Sequence, residues 1–171
     1  MIRLANVRDI DAIEKCLLDA KKFLKDSGSI QWNGPSGNPD KELYLKDINK
    51  NHCYVCVREG NIVGVATFMG HEDEYDHPYG KWLTEGRNYT TVHRIAVCDG
   101  KRSQGVATEL MRYAEAFTKN TGRSSIRIDT HPENLIMQTM LGSLGYSYCG
   151  YVVYSYIPVE PKRLIYEKLI K

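Results

Sequence analysis

Val97-Cys98-Asp99-Gly100-Lys101-Arg102-Ser103-Gln104-Gly105-Val106-Ala107 is the stretch on which the fold turns. A strand rich in β-branched residues ends here, a polar loop follows, and a helical apolar spacing begins. Successive backbone N–H groups in such a turn converge on an anion, and the helix N-terminus adds about half a positive charge. Gly105 has no Cβ to hold a ligand away. Lys101 and Arg102 add full positive charge. The pattern predicts a phosphate site. Gly100-Lys101-Arg102-Ser103 is not a Walker loop, which needs Gly-Lys followed directly by Ser or Thr. There is no Gly-x-Gly-x-x-Gly, so the dinucleotide fingerprint is absent too.

Working outward, Tyr89 to Val97 reads as the incoming strand. Val106, Leu110, Ala114 and Phe117 mark one face of the outgoing helix, and Gly122 stops it. A short strand follows at Ile126 and Ile128, then Pro132 and a further helix carrying Leu135, Met140, Leu141 and Leu144 up to Gly145. Tyr151–Ile157 and Leu164–Leu169 read as a final antiparallel pair. Upstream, Arg3–Ala5 is a first strand, and Asp9 or Asp11 caps a helix with Ile10, Ile13, Leu17, Ala20 and Leu24 on one face. Gly28 to Asp40 is a loop, Lys41 to Ile48 a second short helix, and Cys53–Arg58 with Ile62–Met69 a hairpin turning at Glu59-Gly60-Asn61. His71 to Arg87 breaks all periodicity; loops of more than about 12–15 residues in a compact domain often carry function. The order β-α-α-β-β-β-α-β-α-β-β predicts an α/β (α+β) fold. Its sheet is mixed, mostly antiparallel and six- to seven-stranded, flanked by about four helices.

Composition bounds what this fold does. At about 150 residues per domain, 171 residues argue for a single domain over 1–171. Twenty-three Lys and Arg against 21 Asp and Glu give +2, which is no footprint for a nucleic-acid partner. No apolar run approaches the ~18 residues of a membrane span, and the N-terminus has no signal-peptide pattern. A cytoplasmic location is expected. The five cysteines (Cys16, Cys53, Cys56, Cys98 and Cys149) are odd in number and scattered, which fits. Cys53 and Cys56 lie on strand residues facing opposite sides, so they read as structural thiols, not as a metal or redox pair.

Arg102-x-x-Gly105-x-Ala107 resembles the Arg/Gln-x-x-Gly-x-Gly/Ala motif of the GNAT-family N-acetyltransferases. The order of strands and helices resembles that family from about Arg3 to Leu169, most strongly from Tyr89 to Tyr146. The resemblance implies the GNAT fold and acetyl-CoA as cosubstrate, with no metal. It implies that Arg102, Ser103, Gln104, Gly105, Val106, Ala107 and Thr108 cradle the pyrophosphate. Ile95, Ala96 and Val97 would bond the pantetheine arm as an added strand, and Asn134 would touch the cofactor. Gly145-Tyr146 stands where the family closes its helix with Gly-Phe. The implied reaction is acetyl transfer to a primary amine of a small-molecule or peptide acceptor, with the Val97 N–H holding the oxyanion.

The sequence departs from the family at the general acid. Seven residues after Asn134, where the family often has Tyr, stands Leu141. Tyr146, Tyr148, Tyr151 or a tyrosine of the long loop are the substitutes, and Tyr146 is the candidate taken forward. His93 is the candidate base, on the same strand face as Ile95 and with an ordinary pKa near neutrality. The missing tyrosine also motivates a second reading, a non-catalytic CoA-binding module. Residues 71–86 hold five acids and one base, net −4, while residues 101–127 hold six bases and two acids, net +4. The acidic segment would attract an ammonium, with Trp32, Tyr75 and Trp82 as expected acceptor contacts. Two further expectations are that the acidic cluster of the long loop binds no metal and that Tyr151–Tyr156 pairs across a homodimer.

Overall fold

Strand β1 (Ile2–Leu4) leads to Asn6, whose side chain accepts the Arg8 N–H at 3.0 Å while Asp9 Oδ2 accepts the Asn6 N–H at 2.8 Å. This reciprocal cap opens a 3-10 turn, Val7–Asp9, that runs into α1 (Ile10–Asp26). Asp9 thus holds the N-cap position of α1, one of the two expected, but the side-chain cap bond is made one turn earlier, by Asn6 on the 3-10 turn. Arg3 holds Asp9 at 2.7 and 2.9 Å, and that bond keeps the Asp9 carboxyl below its ordinary range. The computed structural model describes residues 1–35 and 37–171; Ser36, within the expected Gly28–Asp40 loop, lies outside the described residues. Asp40 caps α2 (Lys41–Asn49) by accepting the Leu43 N–H at 2.9 Å. Strands β2 (Cys53–Arg58) and β3 (Asn61–Met69) join through Glu59 (φ 50°) and Gly60 (φ 77°). Two left-handed residues in succession are what a two-residue hairpin turn requires.

The remaining elements are β4 (Tyr79–Gly80), β5 (Tyr89–Val97), α3 (Val106–Asn120), β6 (Ser125–Thr130), α4 (Leu135–Ser143), β7 (Ser147–Val153) and β8 (Lys162–Leu169). The strand order is β1-β2-β3-β5-β6-β8-β7-β4. Strand β5 pairs with β6 in parallel, and β1–β2, β2–β3, β4–β7, β6–β8 and β7–β8 are antiparallel. The sheet is mixed and mostly antiparallel, as expected, with eight strands where six or seven were predicted. The extra strand, β4, lies inside the segment read as loop. Strand β7 starts four residues before the expected Tyr151. Past Val153 the chain turns, with Tyr154 N–H on Pro161 O and Ile157 N–H on Tyr154 O. Tyr151 is already paired on both sides, with Tyr79 of β4 and Leu164 of β8. Val152 and Val153 are paired with β8, at Arg163 and Lys162.

The chain forms two compact units, Met1–Phe68 with His93–Tyr113, and Met69–Val92 with Ala114–Lys171. The first buries Ile13, Leu17, Tyr44, Val55, Val65 and Ala96. It also contains a disulfide, Cys16–Cys98, with Cα atoms 4.2 Å apart. This corrects the reading of five separate thiols: 82 residues of separation hide the pair from any local spacing rule, and the cysteines no longer argue for a location. Cys53, Cys56 and Cys149 are free and buried, and burial pushes the Cys53 thiol up to about 12.

The second unit buries Tyr75, Tyr89, Cys149, Val152, Tyr154 and Ile165. Within it, the acidic 71–87 segment is folded, not loose. Trp82 Nε1 donates to Tyr75 O at 2.8 Å, and the Arg127 guanidinium lies 4.4 Å from the Trp82 ring and 4.0 Å from the Tyr89 ring. Arg127 and Glu167, 3% and 0% exposed, form an ion pair at 3.1 Å. Glu167 also accepts from Ser125, Thr84 and the Leu83 N–H. Burial pushes the Glu167 carboxyl up, and the Ser125 and Thr84 hydroxyls with Arg127 more than offset that, leaving it below its ordinary value.

Candidate active site

Strand β5 is bent on purpose at one residue. Arg94 has φ 52°, a left-handed conformation that costs a non-glycine residue about 1–2 kcal/mol. The surroundings hold it there. Tyr44 donates its hydroxyl to Arg94 O at 3.0 Å, and Arg94 Nε and its guanidinium NH2 bond Asp47 Oδ2 at 3.1 and 2.6 Å. Thr67 Oγ1 donates to the same Asp47 oxygen at 2.9 Å. The parallel ladder with β6 runs from Tyr89↔Ser125 to Val92↔Ile128, ending two residues before Arg94. The bend also breaks strict alternation, so the parity that was to place His93 beside Ile95 does not carry across it. His93 itself is half-buried.

Beyond the bend the strand presents one main-chain edge. Cys98 N–H bonds Val63 O of β3 at 3.0 Å, and Ala96 O lies 3.3 Å from where a Cβ on Gly64 would stand. Even positions therefore face β3, and the N–H and C=O groups of Ile95 and Val97 face the other way.

The loop then meets α3. Glu109 N–H bonds Gly105 O at 2.8 Å, which makes Gly105 the cap position of the helix. Glycine has no side chain to accept the first-turn N–H groups, so those of Val106, Ala107 and Thr108 are offered outward. Gly100, Ser103 and Gly105 are all left-handed, at φ 70°, 60° and 76°, and a Cβ on Gly105 would meet nothing within 4 Å. The cradle is open on the ligand side.

Its outer side is anchored to α1 and β2. Arg102 NH1 bonds Asp99 at 2.7 Å, its NH2 bonds Asp19 O at 2.6 Å, and the guanidinium sits 4.4 Å from the Phe23 ring. Asp99 N–H bonds Asp19 Oδ2 at 2.9 Å, and the disulfide adds Cys98 to the same helix. Arg58 bonds Gln104 O at 3.2 Å and Glu109 at 2.8 Å, and Gln104 Nε2 closes the loop on Gly100 O at 2.9 Å. Arg102 is thus a positioning residue whose charge is met by Asp99, and the side chains of Arg102 and Gln104 brace the loop. The main chain supplies the anion donors.

The second unit holds the other expected residues. Asn134 caps α4, its Oδ1 accepting the Met137 N–H at 3.1 Å. Thr130, 1% exposed at the end of β6, has a hydroxyl with no hydrogen-bond partner among the described residues. Leu141 is fully buried. The Tyr146 hydroxyl is also buried without a partner, its ring is 5.6 Å from Lys168 Nζ, and burial pushes its pKa up. A phenol so placed is a poor proton donor. Trp32 packs against the core of the first unit. Tyr75, 1% exposed, and Trp82 belong to the core of the second. All three expected acceptor contacts have structural work to do.

One carboxylate of the second unit carries no motif in the sequence. Asp129, half-buried in β6, accepts the hydroxyls of Tyr75 at 2.7 Å and Tyr154 at 2.8 Å on the same oxygen. Close by in sequence, His131 Nδ1 accepts the Glu133 N–H at 3.2 Å, so Nε2 carries the proton toward Glu160 at 3.0 Å.

A sequence model of the acetyltransferase (GNAT) family matches residues 21–146. A GNAT-family acetyltransferase of Streptococcus agalactiae 2603 is 34% identical, with a TM-score of 0.88, over 100% of this chain and 95% of that one. The Bacillus subtilis (strain 168) protein named Uncharacterized N-acetyltransferase YesJ is 24% identical over 143 residues, 83% of this chain and 78% of its own. The ribosomal-protein-S18-alanine N-acetyltransferase of Escherichia coli shares the fold, with a TM-score of 0.70 at 13% identity, over 100% of this chain and 94% of its own. With the family match spanning most of the chain and the bent strand leading into a glycine-capped helix, this protein belongs to the GNAT acetyltransferase family and is an acyltransferase.

Proposed function

We propose that the protein transfers the acetyl group of acetyl-CoA to a primary amine, in a small molecule or at a peptide N-terminus. The observation that carries the reading is the helix α3 start: a glycine at the cap, three outward N–H groups, and a loop braced from behind. Such a site fits a pyrophosphate. Lys101, whose ammonium has no partner among the described residues, would add charge. The outward edge at Ile95 and Val97 suits the amides of the pantetheine arm. Asn134, which caps α4 through Oδ1, is the residue the family resemblance assigns to the cofactor.

Acetyl-CoA, when bound, supplies an activated thioester. An amine of pKa about 10.4 is roughly 0.1% neutral at pH 7, so the protein must favour the deprotonated form. Val97 N–H is the donor for the oxyanion of the tetrahedral intermediate. His93 is the proton acceptor on the bent strand. Thiol release from acetyl-CoA across a panel of primary amines tests the reading. Amine-dependent release at steady state supports it, and tight acetyl-CoA binding with no release for any amine refutes it. That second outcome belongs to the non-catalytic CoA-binding module, which the buried Leu141 at the acid position favours.

A further inference from the structure

Helix α1 grips the anion loop along one stripe. Cys16, Asp19 and Phe23 stand three and four residues apart, which places them on one face of the helix. Each holds the loop by a different bond. Cys16 is joined to Cys98 by the disulfide. Asp19 accepts the Asp99 N–H through its carboxylate and the Arg102 guanidinium through its main-chain oxygen. The Phe23 ring lies against that same guanidinium at 4.4 Å. All of these residues belong to one compact unit.

Among these ties from α1 to the loop, the disulfide is the covalent one. It fixes the point at which the chain leaves the sheet. Cys98 N–H is still bonded to Val63 O of β3, whereas Asp99 and Gly100 beyond it are exposed and Gly100 is left-handed. From there the chain runs to Gly105, the cap of α3. Asp19 and Phe23 hold this stretch by bonds that compete with water, since the Arg102 guanidinium is half-buried and its partner Asp99 is exposed. Cutting the S–S bond therefore leaves the start of the loop on weaker ties. A cradle that its ligand must order binds that ligand less tightly than one ordered in advance. The two sulfurs also differ in access. Cys16 is fully buried and Cys98 is 8% exposed, so an external thiolate meets Cys98 first.

Resting on the acetyl-CoA reading above, we propose that Cys16–Cys98 is a redox switch on the affinity of the anion loop, tight when oxidised and slack when reduced by a dithiol. One thiolate of the dithiol attacks the Cys98 sulfur, the S–S bond breaks, and Cys16 leaves as a thiolate that takes up a proton. The second thiolate of the dithiol attacks the resulting mixed disulfide and releases Cys98, which is protonated in turn. The dithiol ends as a cyclic disulfide, having given two electrons and two protons to the protein. The test compares wild-type protein in both states by calorimetric titration with acetyl-CoA. A water-soluble trialkylphosphine serves as the reductant, because it becomes a phosphine oxide with the oxygen of water and leaves the thioester intact. Thiol titration in denaturant checks each state, with three thiols expected when oxidised and all five cysteines when reduced. Reduction should raise the Kd for acetyl-CoA about 5- to 50-fold, somewhat less than the loss of one charge-assisted bond, and reoxidation should restore it. Cys16→Ala/Cys98→Ala should bind with the reduced affinity and ignore the phosphine. An equal Kd in the two verified states, or five thiols before any reductant is added, overturns this inference alone. Wild-type protein that binds acetyl-CoA in neither state overturns the acetyl-CoA reading and this inference with it.

Discussion

Replacing Gly64 by Ala should damage the anion cradle from below. Gly64 lies on β3 under the first turn of α3, where an added Cβ would stand 2.6 Å from Val106 Cγ1, 3.3 Å from Ala96 O and 3.4 Å from Leu110 Cδ1. Carbon atoms rest about 3.5–4.0 Å apart, so Val106 must retreat by roughly 1 Å. A β-branched helical side chain has one strongly preferred rotamer and cannot swing aside, so the first turn moves with it. Overpacking of this kind costs about 1–3 kcal/mol of stability. Misaligning one charge-assisted bond of ~1.5–3 kcal/mol raises the Kd for acetyl-CoA by about ten- to a hundredfold. Calorimetric titration with acetyl-CoA and urea unfolding read the two effects separately. Val106→Ala removes the offending methyl, so the Gly64→Ala/Val106→Ala pair should regain much of the lost affinity, a coupling that a double-mutant cycle measures. A folded Gly64→Ala protein with wild-type affinity would refute the idea that the seat of α3 sets the cradle.

Other perturbations probe the same account. Gly105→Glu places a side chain on a left-handed residue (φ 76°) and a negative charge at the helix N-terminus; acetyl-CoA binding should be lost in a protein that still folds, as titration and circular dichroism together will show. Cys98→Ser opens the link across 82 residues and should lower stability by about 2–4 kcal/mol in urea, whereas identical unfolding of oxidised and reduced wild type would speak against the cross-link. Glu167→Gln strands the buried Arg127 and should cost about 3–5 kcal/mol. Because the Glu167 carboxyl is held below its ordinary 4.5, its contribution is present above that value and drains away as pH falls through the lower folded value. The acid limb of the stability profile should therefore be shallower in Glu167→Gln than in wild type.

Much of this architecture is legible in sequence wherever the cause is local. The 97–107 stretch, the Glu59-Gly60 turn and the apolar faces of α1 and α3 announce themselves through periodicity and glycine placement. What escapes is whatever depends on residues far apart in the chain. Arg102 looks like a phosphate ligand because only its neighbours are visible; Asp19 and Phe23, which hold it, come from α1. The Arg94 bend has no glycine to signal it, since Tyr44 and Asp47 stabilise it from α2. Segment 71–87 reads as an acidic loop, yet Tyr75, Trp82 and Thr84 bind it to Asp129, Arg127 and Glu167. Asp129 sits among strand residues and offers no motif. With Ser125 and Arg127 it forms the polar half of an ordinary alternation with Ile126 and Ile128.

Main-chain N–H groups at the start of α3 and on the bent end of β5 are proposed to bind acetyl-CoA. Amide NMR of labelled protein titrated with acetyl-CoA tests it most directly. The amide resonances of Gly105, Val106, Ala107 and Thr108, with those of Ile95 and Val97, should shift most and saturate together. Saturable acetyl-CoA binding that leaves those six amides unmoved would contradict it.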